Sequence, residues 1–376
     1  MAYKSSFMYS LRPEQYAADP VPNFDEWKQL WAAWDTVTLQ MIPREELLAK
    51  PIKLRNACIF YLGHVPTFLD IHLTRATKEA STGPSHYLQM FERGMDPDVD
   101  NPELCHAHSE IPDEWPPIKE IMDFQQRIRA RVKSLYDSGV AEREHAIRKA
   151  MWIGFEHEVM HLETLLYMLV QSEKMLPPAG AVKPDFEAIA REARVMAIEN
   201  QWFEIPKRTV SLGLEDDDSD HITKRFFGWD NEKPRRTVEV ATFEAKARPI
   251  TNGEYVQYMT QKDIQKIPAS WSDSMTNGNH TNEASNGYQN GLTNGDGSTS
   301  FIEGKSVRTV FGPVPLKLAL DWPIMASFDE LACCAKWMGG RIPTMGEVRS
   351  IYEYVEEFKT NVFEHALQKT IPAVNR

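Results

Sequence analysis

Residues 152–168 read WIGFEHEVMHLETLLYM, with apolar side chains recurring at three- and four-residue steps, the period of a buried helix. Within this stretch His157 and His161 stand four positions apart. At ~100° per residue they lie about 40° apart on one helix face, close enough to ligate a single metal ion. Glu163 falls about 240° round the wheel from His157, so it is expected to brace a ligand from behind or pack the helix rather than touch the ion.

Outward from this stretch, the same helical period governs the first half of the chain. It is seen in Trp27, Leu30, Trp31 and Trp34, and continues through residues 57–77, 118–138 and 141–171, with Pro116 and Pro117 breaking the pattern before the third segment. Four helices of this length predict one bundle over residues 20–175. The long connection 78–117 carries His86, Tyr87, Arg93, Cys105, His106 and His108, and reads as a solvated crossover. The sequence LPPAGAVKP at 176–184 ends the helical period, which places a linker at 176–198. Beyond it, short β-like runs such as 208–212 and 236–243 predict a mixed α and β domain over 199–376. Its Asn-, Gly-, Ser- and Thr-rich tract at 273–300 is expected to be a disordered surface insertion, because it has too little apolar surface to order itself.

Composition narrows the function. The 376 residues suit two domains of ordinary size. With 42 basic and 54 acidic side chains the net charge is -12, the wrong sign for a nucleic-acid binder. Cys58, Cys105, Cys333 and Cys334 are too few and too irregularly placed for a disulfide framework, which points to a reducing compartment. Cys333 and Cys334 are expected to be buried in a helix. The N-terminus lacks a signal-peptide core and no run of about 18 uncharged apolar residues exists, so the expectation is a cytosolic protein with no membrane span.

Residues 157–161 also spell HExxH, the zinc-protease signature with Glu158 as general base. The following Leu162-Glu163-Thr164 excludes the metzincin subclass, while a zincin drawing on Glu187 stays open on spacing. Two histidines on one face also fit a hydrogen-bonded core pair. The balance is shifted by FYLGHVPTFLD at 60–70, where His64 is a polar side chain in an apolar stretch of predicted helix. On a neighbouring helix it offers a third nitrogen to a bundle core, where metal sites are commonly built. Three imidazoles suit Zn, Fe(II), Cu or Ni.

At these residues the chain resembles the iron-dependent sulfoxide synthases of ergothioneine biosynthesis, also called hercynine oxygenases, in their fungal branch. The resemblance is carried by Gly63, His64 and Phe68 (GHxxxF) and by His157, His161 and Glu163 (HxxxHxE). Further phrases follow in order: Ile205-Pro206, FGWDNEKPRR at 227–236, TNGEY at 251–255 and DWPIMASFDELACCAKWMGGRIPT at 321–344. The resemblance implies a multidomain protein: an all-α DinB-like four-helix bundle followed by an incomplete α+β, C-type-lectin-like domain of the formylglycine-generating (sulfatase-modifying factor) kind. It implies Fe(II) held by His64, His157 and His161. It also implies a reaction joining the sulfur of cysteine, or of γ-glutamylcysteine, to the imidazole of hercynine, with O2 oxidising the sulfur to a sulfoxide. Arg93 is expected to take a substrate carboxylate, since its planar fork matches that group.

The chain departs from the family pattern in two ways. It has no glycine-rich S-adenosylmethionine site of the methyltransferase that commonly precedes the bundle in fungal relatives. It also ends at Arg376, before the segment that follows GGRIPT in the family and supplies the catalytic tyrosine. No catalytic residue is therefore assigned, and Tyr352 and Tyr354 are read as packing residues. The shortened second domain is expected to need a partner that covers it. An iron-binding relative without this reaction, or with another substrate, is the alternative, and a zinc protease the third reading.

Overall fold

The computed structural model describes residues 22–52, 55–92, 95–97, 105–107, 112, 114–172, 174–216, 227–273 and 301–365. The chain divides into two compact units, residues 1–181 with 213–236, and residues 182–212 with 237–376.

The first unit is helical. Helix α1 (Phe24–Thr36) starts at a capping box: the Asn23 side chain accepts from the Asp25 and Glu26 amides, and Glu26 accepts from the Asn23 amide. It buries Trp27, Leu30 and Trp34 on one stripe. Helix α2 (Cys58–Thr77) is buried nearly all round through Leu69, as expected of a helix at the centre of a bundle. A short helix α3 (His86–Met90) follows, then an antiparallel ladder of β1 (Met95–Pro97) and β2 (Cys105–Ala107). Helix α4 (Ile118–Asp137) buries Ile121, Phe124, Ile128 and Val132 at helical spacing. After the short α5 (Val140–Arg143), helix α6 (His145–Leu169) closes the bundle by packing on α2.

The predicted helices 57–77 and 118–138 match α2 and α4 closely. The last one begins later than expected because the chain breaks at Glu144, whose extended backbone separates α5 from α6. The crossover 78–117 is not simply solvated: Tyr87 and Phe91 are buried in it. Its Arg93 and His108 lie outside the described residues, as does 274–300 of the expected insertion.

In the second unit, residues 186–195 of the expected linker form helix α7 (Phe186–Val195), capped by Asp185 and packed through Phe186 on Phe311 and Trp322. Strand β3 (Trp202–Ile205) pairs antiparallel with β6 (Phe243–Lys246), and β4 (Arg208–Leu212) pairs with β5 (Arg236–Val240). Strands β7 (Trp271–Asp273), β8 (Lys305–Val307) and β9 (Val314–Pro315) form a third small sheet. The TNGEY phrase holds this unit together, for Thr251 caps helix α8 (Asn252–Gln261), and buried Asn252 bonds Ala319 O and the Trp271 indole. Tyr255, Trp271, Leu316 and Cys334 of helix α9 (Phe328–Trp337) share that core. Cys334 is buried as expected, but Cys333 is exposed, one step round the helix. On helix α10 (Met345–His365) Tyr352 is also exposed rather than packed. Among the described residues no helix is long and apolar enough to cross a membrane.

The bundle is tied internally by Asp70 of α2. Its buried carboxylate accepts from the Thr82 amide (2.9 Å), the Thr82 hydroxyl (2.6 Å) and Arg131 of α4 (2.7 Å). Removing one partner of a buried charge pair leaves the other uncompensated. Asp70→Ala is expected to lower the stability of the first unit by about 3–5 kcal/mol, measured as a shift of its urea unfolding midpoint.

Candidate metal centre

His64 sits on α2, and His157 and His161 on α6, so the α2–α6 packing brings the three together. Their Nε2 atoms converge: His64 to His161 is 3.2 Å and His161 to His157 is 3.1 Å. Two imidazole nitrogens at ~2.1 Å from one ion, at angles between 90° and tetrahedral, stand about 3.0–3.4 Å apart, so each of these two pairs has the spacing of a ligand set, and the three ligand atoms lie within 4.8 Å of one another. The trio is a group of buried or half-buried metal-ligating side chains meeting within a single ion's reach.

His64 is held from behind. Its Nδ1–H donates to the Phe91 carbonyl at 2.6 Å, and since a carbonyl only accepts, the proton is on Nδ1 and the lone pair on Nε2, toward the cluster. This contact needs Gly63: a Cβ there would lie 2.5 Å from the Phe91 ring, so only glycine lets the crossover approach the helix this closely. The glycine and histidine of the GHxxxF phrase thus act together. Phe60 stacks on His64 (5.0 Å, 19°), Phe68 stacks on His157 (3.7 Å, 10°), and Tyr61 lies beside His161 (5.7 Å). Nδ1 of His157 and Nδ1 of His161 are buried and have no hydrogen-bond partner among the described residues.

Burial keeps all three rings neutral. It holds His64 below its ordinary value against the opposing Phe91 carbonyl. Burial, then the neighbouring histidines, holds His157 well below. Burial, His64 and the charge of Arg55 bring His161 down to about 3. Neutral imidazoles with aligned lone pairs are what a divalent transition metal requires.

The other expected residues are placed differently. Glu163 is exposed on α6, and the hydrogen bond that orients an imidazole comes from Phe91 instead. Glu158 is buried among Trp31, Gln125 and Arg129; burial pushes it up to about 7 against the pull of Arg129. That environment is the Asp35–Arg129 ion pair of the bundle interior, so Glu158 is not presented to the histidine cluster as a protease general base would be. Sequence reasoning missed Phe91 and Phe60, whose roles depend on contacts that residue type alone does not signal. Phe68 was visible in the GHxxxF phrase, although its stacking was not.

Residues 26–165 match the DinB superfamily. The chain is 54% identical, over 99% of its length, to "Ergothioneine biosynthesis protein 1" of Neurospora crassa. It is 29% identical, over 91% of its length, to the protein of the same name from Schizosaccharomyces pombe. In both cases the match covers 43% of the relative, so the chain spans less than half the length of these proteins.

The lowered histidine values carry a pH dependence in the metal-free protein. A ring whose folded value lies below its ordinary 6.5 binds protons more readily when unfolded. The stability it contributes is fully present above pH 6.5 and is lost as pH falls through that value toward about 3 for His161. His161→Phe, which cannot protonate, is expected to show a shallower loss of stability than wild type between pH 6.5 and 4, measured by urea unfolding across that range.

Proposed function

We propose that the chain, which is similar over nearly all its length to two fungal ergothioneine-biosynthesis proteins, carries the Fe(II) centre of an oxygenase that joins cysteine, or γ-glutamylcysteine, to hercynine. The observation that carries this reading is the grouping of the His64, His157 and His161 ligand atoms within 4.8 Å of one another, with the protein supplying three neutral imidazoles. Such a set leaves coordination positions open for substrates.

The net reaction balances without a further reductant. Forming the carbon–sulfur bond removes the imidazole C–H hydrogen and the thiol hydrogen, which supplies two electrons. Oxidising the sulfide to the sulfoxide supplies two more. These four electrons reduce O2, one oxygen remaining on sulfur and the other leaving as water with the two hydrogens. Bound Fe(II) would supply the site at which O2 and the thiol meet. The residues of this chain hold that site: Phe91 fixes the His64 tautomer, and Phe60, Phe68 and Tyr61 surround the imidazoles with apolar ring surface that limits water. Arg93, in the crossover that supplies Phe91, is proposed for a substrate carboxylate.

The few short strands and long irregular stretches of the second unit support reading it as a formylglycine-generating-enzyme-like domain. A thiol co-substrate, together with free Cys58, Cys333 and Cys334, supports a reducing, cytosolic setting.

The test begins with metal binding. Anaerobic Fe(II) titration is expected to give one ion per chain, with binding lost in His64→Ala and His161→Ala. Iron binding unchanged by these substitutions would sink the reading. Mass spectrometry of the iron-loaded protein with hercynine, cysteine and O2 is then expected to show the sulfoxide adduct, absent from His161→Ala. A folded, iron-loaded sample that gives no adduct would assign the chain to metal binding without this reaction.

A further inference from the structure

The FGWDNEKPRR phrase, expected in the second domain, belongs with the first unit, where it packs along α6. His145, Lys149, Trp152 and Glu156 follow one another at i, i+4, i+7 and i+11, a single stripe of that helix. Phe227, 1% exposed, packs its ring on His145 (5.2 Å) and Trp152 (6.4 Å). Asp216, whose carboxylate is fully buried, accepts from the Gly228 amide (3.1 Å) and faces Lys149 (3.8 Å) and Lys233 (3.6 Å). The base of the loop is closed by the Leu214 amide donating to Glu232 O at 2.8 Å. Gly213 permits that approach at φ +82, where a Cβ would lie 2.5 Å from the same oxygen. Next to Gly228, the Trp229 amide donates to the Glu232 carboxylate.

These anchors fix Trp229, and Trp229 leads to the metal centre. Its ring lies 6.2 Å from Phe68 at 30°, and Phe68 in turn lies 3.7 Å from His157 at 10°. The three rings form one stack. His157 depends on it more than His64 depends on Phe60, because His64 has the Phe91 carbonyl to set its rotation whereas His157 Nδ1 has no hydrogen-bond partner among the described residues. A metal-ligating imidazole ordinarily has such a partner to orient it. Here a flat ring surface replaces that partner by restricting rotation about the Cβ–Cγ bond of His157.

We infer that Trp229 is a positioning residue of the metal centre: it holds Phe68 against His157, so docking of the 227–233 segment on α6 sets metal affinity. The inference rests on the metal-centre reading above and adds to it a second layer of residues drawn from far along the sequence. Neither Trp229 nor Phe68 touches the ion or a substrate in this scheme. Their effect is to keep the His157 lone pair aimed at the point where His64 and His161 also aim.

The experiment is a titration of the full chain with Co(II), read through its visible ligand-field spectrum, for wild type, Trp229→Ala, Trp229→Leu and Trp229→Phe. Trp229→Leu keeps apolar bulk without a ring face, and Trp229→Phe restores the face. Loss of ring orientation is expected to weaken Co(II) binding about tenfold in the Ala and Leu variants and to shift their spectra, while the Phe variant stays close to wild type. Circular dichroism melts separate this from general unfolding; should Trp229→Ala fail to fold, the Leu and Phe pair decides. Wild-type affinity and spectrum in a folded Leu variant would overturn the inference. A wild-type chain that binds no Co(II) would instead overturn the metal-centre reading on which it stands.

Discussion

Three imidazoles kept neutral in the α2–α6 interface, with their Nε2 atoms drawn together, constrain everything packed around them. Nitrogens 3.1 and 3.2 Å apart can share hydrogens only imperfectly, and burial removes the water that would otherwise solvate them. In the metal centre proposed above, one ion would take all three lone pairs, which requires the bundle to hold each ring in a fixed orientation.

The bundle meets that requirement by different means at each ligand. His64 is oriented by a backbone carbonyl from the crossover, admitted by Gly63. His157 is oriented by a stacked ring from its neighbouring helix. His161, partly exposed, forms the open side with Tyr61 beside it. Farther out, the Asp70–Arg131–Thr82 network ties the start of the crossover to α2 and α4, which keeps the segment carrying Phe91 in register with the helix it serves. The long connection 78–117 therefore contributes both to the centre and to the fold that supports it.

The helices and the candidate ligands were legible in the sequence because each depends on local spacing. A helical period is visible in α2, α4 and α6, and a four-residue separation fixes His157 and His161 on one face wherever that helix goes. The limits of α6 were less legible, since the break at Glu144 is a backbone choice that no strong breaker residue announces. Glu163 and Glu158 show the same divide. Helical spacing turns Glu163 away from His157, and it lies exposed on α6, but only packing shows that Glu158 is enclosed with Trp31 and the Asp35–Arg129 pair. The HExxH pattern is a statement about one helix, whereas general-base catalysis needs a particular side of it.

The sequence by itself determined the helical first half, the three histidines and the order of phrases that relates this chain to its fungal relatives, because periodicity and motif spacing are properties of neighbouring residues. Only the tertiary structure decided what surrounds the histidines. Phe91 reaches His64 across 27 positions. Trp229 reaches Phe68 across a gap too long for any spacing rule, and the phrase that carries it folds with the bundle rather than with the residues that flank it. Contacts of that kind depend on which surfaces are left to be buried once the helices have packed, a global balance of apolar area and hydrogen bonding that a linear pattern does not record.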